Sequence, residues 1–172
     1  ILTSLPSTRS SLHPARGHNS IEKARNSLLG CGSSPLIGYV GRLSLEKNLP
    51  TLVHAFESVQ RLFPEARLLL VGDGPAHNEL ERLVEAKKLT EAVHFIGNTA
   101  SPQTYMEARD MMVLCSFTEG LPLVVLEAMS LGRPVGSTTG GGVSEVIAEW
   151  GTGLLVAGTN LTSCDNAASP AL

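Results

Sequence analysis

The strongest constraint on the fold is an alternation of short apolar runs with amphipathic segments that begins at Leu36. Largely apolar runs short enough for buried strands lie at 36–43, 66–72, 93–97, 111–116, 134–138 and 153–157. Segments with helical spacing lie between them, at 49–63, 76–89, 101–109, 121–131 and 142–149. Buried strands that alternate with helices predict an α/β fold, a doubly wound parallel sheet of about six strands with helices on both faces.

The domain organisation follows from this pattern, because the alternation fills one unit over 36–158 of the 172 residues. Residues 1–35 are expected to be a poorly ordered linker or remnant. A transit-like segment is the alternative for the Ser-, Arg- and Pro-rich stretch before Glu22. Residues 159–172 are expected to form an irregular tail. Since the chain begins with Ile1, we expect it to be a fragment or a processed product.

Composition excludes several classes of protein. Hydrophobic residues make up 42% of the chain and charged residues 17%, with a net charge of −3, so neither disorder nor a general attraction to nucleic acid is indicated. No run approaches the roughly 20 apolar residues that span a bilayer. Three cysteines without a C-x-x-C pair predict a buried free thiol at Cys115 and a reducing, cytoplasmic compartment.

In a doubly wound sheet, ligands bind beyond the carboxyl ends of the strands, so the loops there carry the candidate site. After the first strand, Gly41 permits close backbone approach, Arg42 offers a planar fork of donors and Lys47 adds a mobile charge. This combination suits a diphosphate. The alternative is a pair of solvated surface cations, one of them paired with Glu46.

A second candidate lies in the segment 116–135, where a strand is followed by a short loop and a helix. Pro122 suits the first turn of that helix, whose N-terminus then offers unpaired N–H groups to an anion. Glu127 follows about 7–8 Å along the axis at 1.5 Å per residue, near enough for a phosphate and a ribose to be held together. The alternative is that Glu119 complements the helix dipole and that Glu127 is an exposed helix charge.

Several other chemistries lack their motifs. His77 stands where a dinucleotide fingerprint needs its third glycine, and no phosphate loop or nucleophile elbow is present. The five histidines have no metal-ligand spacing, and no Asp-x-Asp pair exists to hold a metal–nucleotide complex. We therefore expect a metal-independent site without a cofactor.

The motifs, taken in order, resemble the carboxyl-terminal, donor-binding domain of family-four retaining glycosyltransferases. They read IGYVGRLSLEKN, LLLVGDGP, VHFIGN, EGLPLVVLEAMSLGRPV and GGGVSEVI–GTGLLV, and they cover roughly 36–157. The most diagnostic feature is Glu119 followed, after seven residues, by Glu127. The resemblance implies a Rossmann-like domain that is one half of a glycosyltransferase-B fold.

The same resemblance assigns roles to residues. Arg42 and Lys47, beside Gly41, would hold the diphosphate, and Glu127 would accept hydrogen bonds from ribose hydroxyls. Glu119 would be the catalytic residue that contacts the transferred sugar. The remaining donor-binding positions would be the loop beside the base, Gly97 and Asn98, and the amide donors of the helix start, Gly120, Leu121 and Leu123.

The expected function is transfer of a sugar, of the hexosyl type, from a nucleoside diphosphate sugar to an acceptor hydroxyl with retention. The acceptor would be a sugar or a lipid-linked glycan, and attachment to a membrane face is left open. The amino-terminal acceptor domain has no counterpart here, so we expect the isolated chain to transfer little or no sugar. The alternatives are a non-catalytic nucleotide-sugar-binding or regulatory module and, less favoured by the context of Glu119 and Glu127, a sugar-nucleotide epimerase.

Overall fold

The computed structural model of the chain describes residues 25–26, 34–117, 123–139, 142–143, 147 and 153–156. Within them, six strands form one parallel sheet in the order β3-β2-β1-β4-β5-β6. The strands are β1 (Leu36–Val40), β2 (Arg67–Val71), β3 (Val93–Gly97), β4 (Met111–Leu114), β5 (Val135–Thr138) and β6 (Gly153–Val156). This arrangement confirms the predicted doubly wound, Rossmann-like α/β fold.

The described helices connect successive strands. They are α1 (Leu49–Leu62), α2 (His77–Ala86), α3 (Pro102–Ala108) and α4 (Leu123–Ser130), with a 3₁₀ turn at Leu45–Lys47. The predicted helix at 142–149 lies largely outside the described residues. The first predicted strand, 36–43, was too long: β1 ends at Val40, because Gly41 adopts a φ of 153° and turns the chain toward β2.

Helix α1 shows how local sequence fixes an element. Asn48 precedes it in a left-handed conformation (φ 48°), and Pro50 occupies its first turn, where the missing N–H has no intrahelical partner to lose. The apolar positions recur at helical spacing and are buried against the sheet: Leu49, Leu52, Val53 and Phe56.

The core lies on both faces of the sheet. On one face, α1 and α2 bury side chains such as Phe56 and Leu80 against Tyr39 of β1. On the other face, Val125 of α4 packs against Met112 of β4. Strands covered on both faces explain why the apolar runs of the sequence are continuous rather than alternating.

Two further expectations concern the thiols and the membrane. Cys115 is buried and forms no disulfide, as predicted, whereas Cys31 and Cys164 lie outside the described residues. None of the helices that the structure describes is long and apolar enough to cross a bilayer.

An ion pair joins α1 to the end of α2 and makes stability depend on pH. Glu57 accepts a hydrogen bond from Lys87 and one of 2.6 Å from Arg61. The Lys87 ammonium, and to a smaller extent Arg61, hold the pKa of Glu57 below its usual value. A carboxyl whose pKa is lowered by folding stabilises the protein above its unfolded pKa, and this contribution is lost as the pH falls through the folded pKa.

We therefore expect Glu57→Gln to lower the free energy of unfolding by about 0.5 kcal/mol at pH 7 and by nothing measurable near pH 3. Urea unfolding at both pH values measures the difference. Glu85→Gln, at an exposed position of α2, is the matched control and should have no effect at either pH. A deficit of Glu57→Gln that persists in acid would contradict the explanation.

Candidate functional site

The strand order creates a crevice at the carboxyl edge of the sheet. From β1 the chain winds outward through β2 and β3, then returns to place β4 on the other side of β1. The loops after β1 and β4 therefore diverge, and such a switch point is where doubly wound sheets bind ligands. A hydrogen bond of 3.0 Å from the Phe117 N–H to the Glu46 carbonyl joins these two loops. The 3₁₀ turn thus lies directly beside the segment that leads toward α4.

The loops after β1 and β2 are fastened together through their backbones. The N–H of Gly41 donates to the Val71 carbonyl (3.0 Å), and the N–H of Leu43 donates to the Asp73 carbonyl (3.0 Å). Gly72 has a φ of 127°, and a Cβ at this position would lie 2.0 Å from the Gly41 carbonyl oxygen. Only glycine permits so close an approach.

The loop after β3 joins the same framework. The N–H of Gly72 donates to the Gly97 carbonyl (2.9 Å), and Gly97 adopts a left-handed φ of 68°. Nothing lies within 4 Å of the position that a Cβ of Gly97 would occupy, so this glycine faces open space. Backbone hydrogen bonds thus join three consecutive loops at this edge of the sheet.

These loops enclose a cleft of about 420 Å³. Its lining is rich in glycine and polar groups and consists of Val40, Gly41, Arg42, Val71, Gly72, Asp73, Gly97, Asn98, Thr99 and Pro102. Four positions that the sequence nominated from two separate loops, Gly41, Arg42, Gly97 and Asn98, are therefore brought together. Their roles in binding stay predictions.

The backbone of Arg42 is held while its side chain is exposed. The Tyr39 hydroxyl donates a hydrogen bond of 2.9 Å to the Arg42 carbonyl, and Tyr39 itself is buried beneath the loop. Arg42 therefore lines the cleft from a backbone position that this hydrogen bond holds. An anchored arginine with an exposed head can grip an anion through two parallel hydrogen bonds.

Lys47 ends the 3₁₀ turn, is half-buried and lies outside the lining of the cleft. The turn also carries Glu46, whose carboxylate accepts a hydrogen bond of 2.6 Å from the Ser44 hydroxyl. This bond is the main cause of a lowered pKa of Glu46, and its own backbone N–H, Arg42 and Lys47 lower it further. Both cations therefore lie within electrostatic reach of one carboxylate.

Helix α4 supplies the other candidate residues. Leu123 and Glu127 are both exposed, whereas Val125 and Ala128 are buried against the sheet. Glu127 is thus outside the core, as a ligand-binding residue must be. The predicted catalytic Glu119 and the predicted amide donors Gly120 and Leu121 lie outside the described residues.

Sequence reasoning overlooked several residues of the cleft, namely Gly72, Asp73, Thr99 and Pro102. The rule that ligands lie beyond the carboxyl ends of strands had indicated the loops at 72–76 and 97–101. It gave no means of choosing residues within them, since neither loop carries a cluster of charges.

His77 fixes the edge of the cleft at the start of α2. Its Nδ1 lies 3.2 Å from Asp73 Oδ1, and its Nε2 lies 3.2 Å from Glu81 Oε1. The ring packs on Phe95 with centroids 5.0 Å apart. These contacts position Asp73 at the lip of the cleft and give His77 a structural role.

Comparison with known proteins finds one matching family model and several curated relatives. The family model for glycosyl transferases group 1 matches residues 20–168. A sulfoquinovosyl transferase of Arabidopsis thaliana is 40% identical over 115 residues, which are 67% of this chain and 21% of that protein. The chain spans between about a fifth and a third of the length of such curated relatives.

Solved structures agree with the fold. Anabaena HepE in complex with UDP-glucose superposes with a TM-score of 0.78 at 27% identity, over 88% of this chain and 42% of HepE. The C-terminal domain of a glycosyl transferase group 1 family protein from Francisella tularensis superposes with a TM-score of 0.71 at 25% identity, over 83% of this chain and 79% of that domain. The second match has nearly the extent of the present chain.

Proposed function

This chain belongs to the glycosyl transferases group 1 family, and on that premise we propose that it is the donor-binding half of a glycosyltransferase. The complete enzyme would transfer a sugar from a nucleoside diphosphate sugar to an acceptor hydroxyl, with retention of the anomeric configuration. Support comes from HepE, a relative of the same fold whose structure contains UDP-glucose.

The observation that carries the proposal is the cleft at the carboxyl edge of β1, β2 and β3. Its lining includes three glycines, Gly41, Gly72 and Gly97, and the side chain-bearing Arg42. Glycine-lined loops let the peptide N–H groups approach an anion closely. A nucleotide whose base lies beside Gly97 and Asn98 would extend its phosphates toward the loop after β1.

The phosphates would be bound by cations and by helix α4. Arg42 and Lys47 both lie on the loop after β1, which is hydrogen-bonded through Glu46 to the segment leading into α4. When the bond between the sugar and the diphosphate breaks, negative charge grows on the diphosphate. Donors fixed beforehand at that place stabilise the transition state more than the ground state. Side-chain cations and amides would supply this stabilisation without a metal ion.

The sugar-proximal part of the proposal rests on α4 and the family resemblance. Glu127, exposed on α4, would accept hydrogen bonds from the ribose hydroxyls. Glu119 would contact the transferred sugar.

A second domain would complete the site. Leu45 of the 3₁₀ turn is 70% exposed, and Phe117 of the neighbouring loop is 50% exposed. Two large apolar side chains exposed beside the crevice suit a surface that another domain covers. That domain would bring the acceptor, which is why we expect the isolated chain to bind a donor weakly and to transfer little sugar.

A panel of nucleotides tests the proposal. Ligands that bind only the folded state raise the unfolding temperature, and the rise grows with the logarithm of their concentration relative to their dissociation constant. We expect one of UDP, GDP and ADP, with its sugar derivatives, to raise the midpoint by a few degrees at millimolar concentration, and the free sugars to have no effect. If none of the nucleotides raises the unfolding midpoint, the proposed donor site is refuted.

Turnover separates a half-enzyme from a binding module. The chain alone should release no nucleoside diphosphate from the preferred donor. Adding the amino-terminal domain of a close relative in trans should restore transfer to that relative's acceptor. Binding without any restored transfer would favour the non-catalytic module.

A further inference from the structure

Arg109 is a charged side chain buried in the core of the domain. It joins α3 to β4 and has no solvent exposure. Its three guanidinium nitrogens have no hydrogen-bond partner within the part of the chain that the structure describes. Burial, and to a smaller extent the charge of Arg133, lower the pKa of Arg109 to about 10, so the side chain is still charged at neutral pH.

Space for Arg109 comes from a glycine on β1. A Cβ on Gly38 would lie 2.0 Å from Cδ of Arg109 and 3.0 Å from its Nη1. The stem of the arginine thus lies across the middle of β1, where any other residue would exclude it. The absence of a side chain at Gly38 therefore leaves the space that the cationic side chain of Arg109 occupies.

The neighbouring carboxylate does not neutralise this charge. Asp110 binds Arg25 through both of its oxygens, at 3.2 and 2.9 Å, and also accepts a hydrogen bond from the Leu36 N–H. Arg133, the second arginine nearby, donates to the Glu107 carbonyl. Among the described residues, the charge of Arg109 therefore stays uncompensated in a medium of low dielectric constant.

The charge lies beside Gly38 of β1, and the end of that strand leads into the proposed donor site. From Gly38 to Gly41, at the lining of the cleft, is three residues along β1, or about 10 Å at 3.3 Å per residue. At an effective dielectric constant near 20, one unit charge at this distance changes the affinity for another by about tenfold. A buried charge is also screened less by salt than an exposed one.

We infer that Arg109 is a buried electrostatic positioning residue that raises the affinity of the cleft for the diphosphate of the donor without touching it. The inference rests on the proposed function, because it needs an anion in the cleft. It adds a residue outside the binding motifs to the donor site. It also predicts that removal of the charge weakens diphosphate binding without lowering the stability of the fold, since the charge that helps binding is costly to bury.

The test replaces Arg109 with Met, which is apolar and of similar length. Affinities for UDP and for uridine are measured by NMR titration, or for the preferred diphosphate and its nucleoside if the panel selects another base. We expect Arg109→Met to bind UDP about tenfold more weakly, which corresponds to about 1.4 kcal/mol, and uridine within twofold of the unchanged chain. Its unfolding temperature should be equal or higher, because an unpaired buried charge has been removed.

Two further variants keep the result interpretable. Arg82→Met removes the same charge from an exposed position on α2 and should leave both affinities unchanged. Gly38→Leu with Arg109→Ala fills the same space from the strand side and should reproduce the selective loss of UDP affinity. This second route protects the test if Arg109→Met packs poorly.

Each contrary result has its own meaning. A folded Arg109→Met chain that binds UDP as tightly as the unchanged chain overturns the inference and leaves the donor site intact. Equal losses for UDP and uridine with a lower unfolding temperature assign Arg109 a packing role and also overturn it. If the unchanged chain binds no nucleoside diphosphate, the proposed function fails and this inference fails with it.

Discussion

Replacing Glu127 with Ala is expected to lower the affinity for the preferred nucleoside diphosphate by about 100-fold, or about 2.7 kcal/mol. A hydrogen bond to a charged group contributes roughly 1.5–3 kcal/mol, and an ionised carboxylate has two oxygens for the two ribose hydroxyls. Glu127 is exposed on α4, outside the buried face formed by Val125 and Ala128, so the substitution should leave the stability of the domain nearly unchanged.

An analogue of the ligand identifies the partner of Glu127. The 2′,3′-dideoxy form of the same nucleotide lacks both hydroxyls and should bind the unchanged chain weakly, with no further loss in Glu127→Ala. Glu85→Ala, which removes a carboxylate from an exposed position on α2, is the matched control. Additive losses from the two changes would show that Glu127 binds something other than the ribose.

The second large effect is expected at Gly72, where Ala should destabilise the domain by about 3 kcal/mol or more and lower its unfolding temperature by about 10 °C. The new Cβ would meet the Gly41 carbonyl oxygen at 2.0 Å, and a φ of 127° is strained for any residue with a side chain. The loops after β1 and β2 must then separate. Nucleotide binding should be lost even at temperatures where the core stays folded.

Gly132→Ala separates backbone strain from the clash. Gly132 has a φ of 67° with nothing within 4 Å of the position of a Cβ, so only the left-handed conformation is penalised, by about 1 kcal/mol. Calorimetric unfolding of both variants gives the comparison. Equal destabilisation of the two would show that the contact between Gly41 and Gly72 is not close in solution.

Much of the fold could be read from the chain because the signals are local. The runs of β2 and β3 are continuous and apolar, and their predicted bounds differ from the observed ones by at most one residue. The end of β1 was misplaced because GRL continues the apolar pattern. What ends the strand is the φ of 153° at Gly41, after which the Leu43 N–H bonds to the Asp73 carbonyl, a contact between residues 30 positions apart.

The sequence by itself determined the kind of fold and four of the residues that meet in the cleft, and it predicted the edge of the sheet at which a ligand would bind. Hydrophobic periodicity, the positions of glycines and the pattern of charges are local in the sequence, so they can be read from it without a structure. Only the tertiary structure decided that Asp73 and Thr99 share the cleft and that Arg109 lies buried across Gly38. Those relations join residues far apart in sequence, and they arise when the strands pair and side chains compete for the same space.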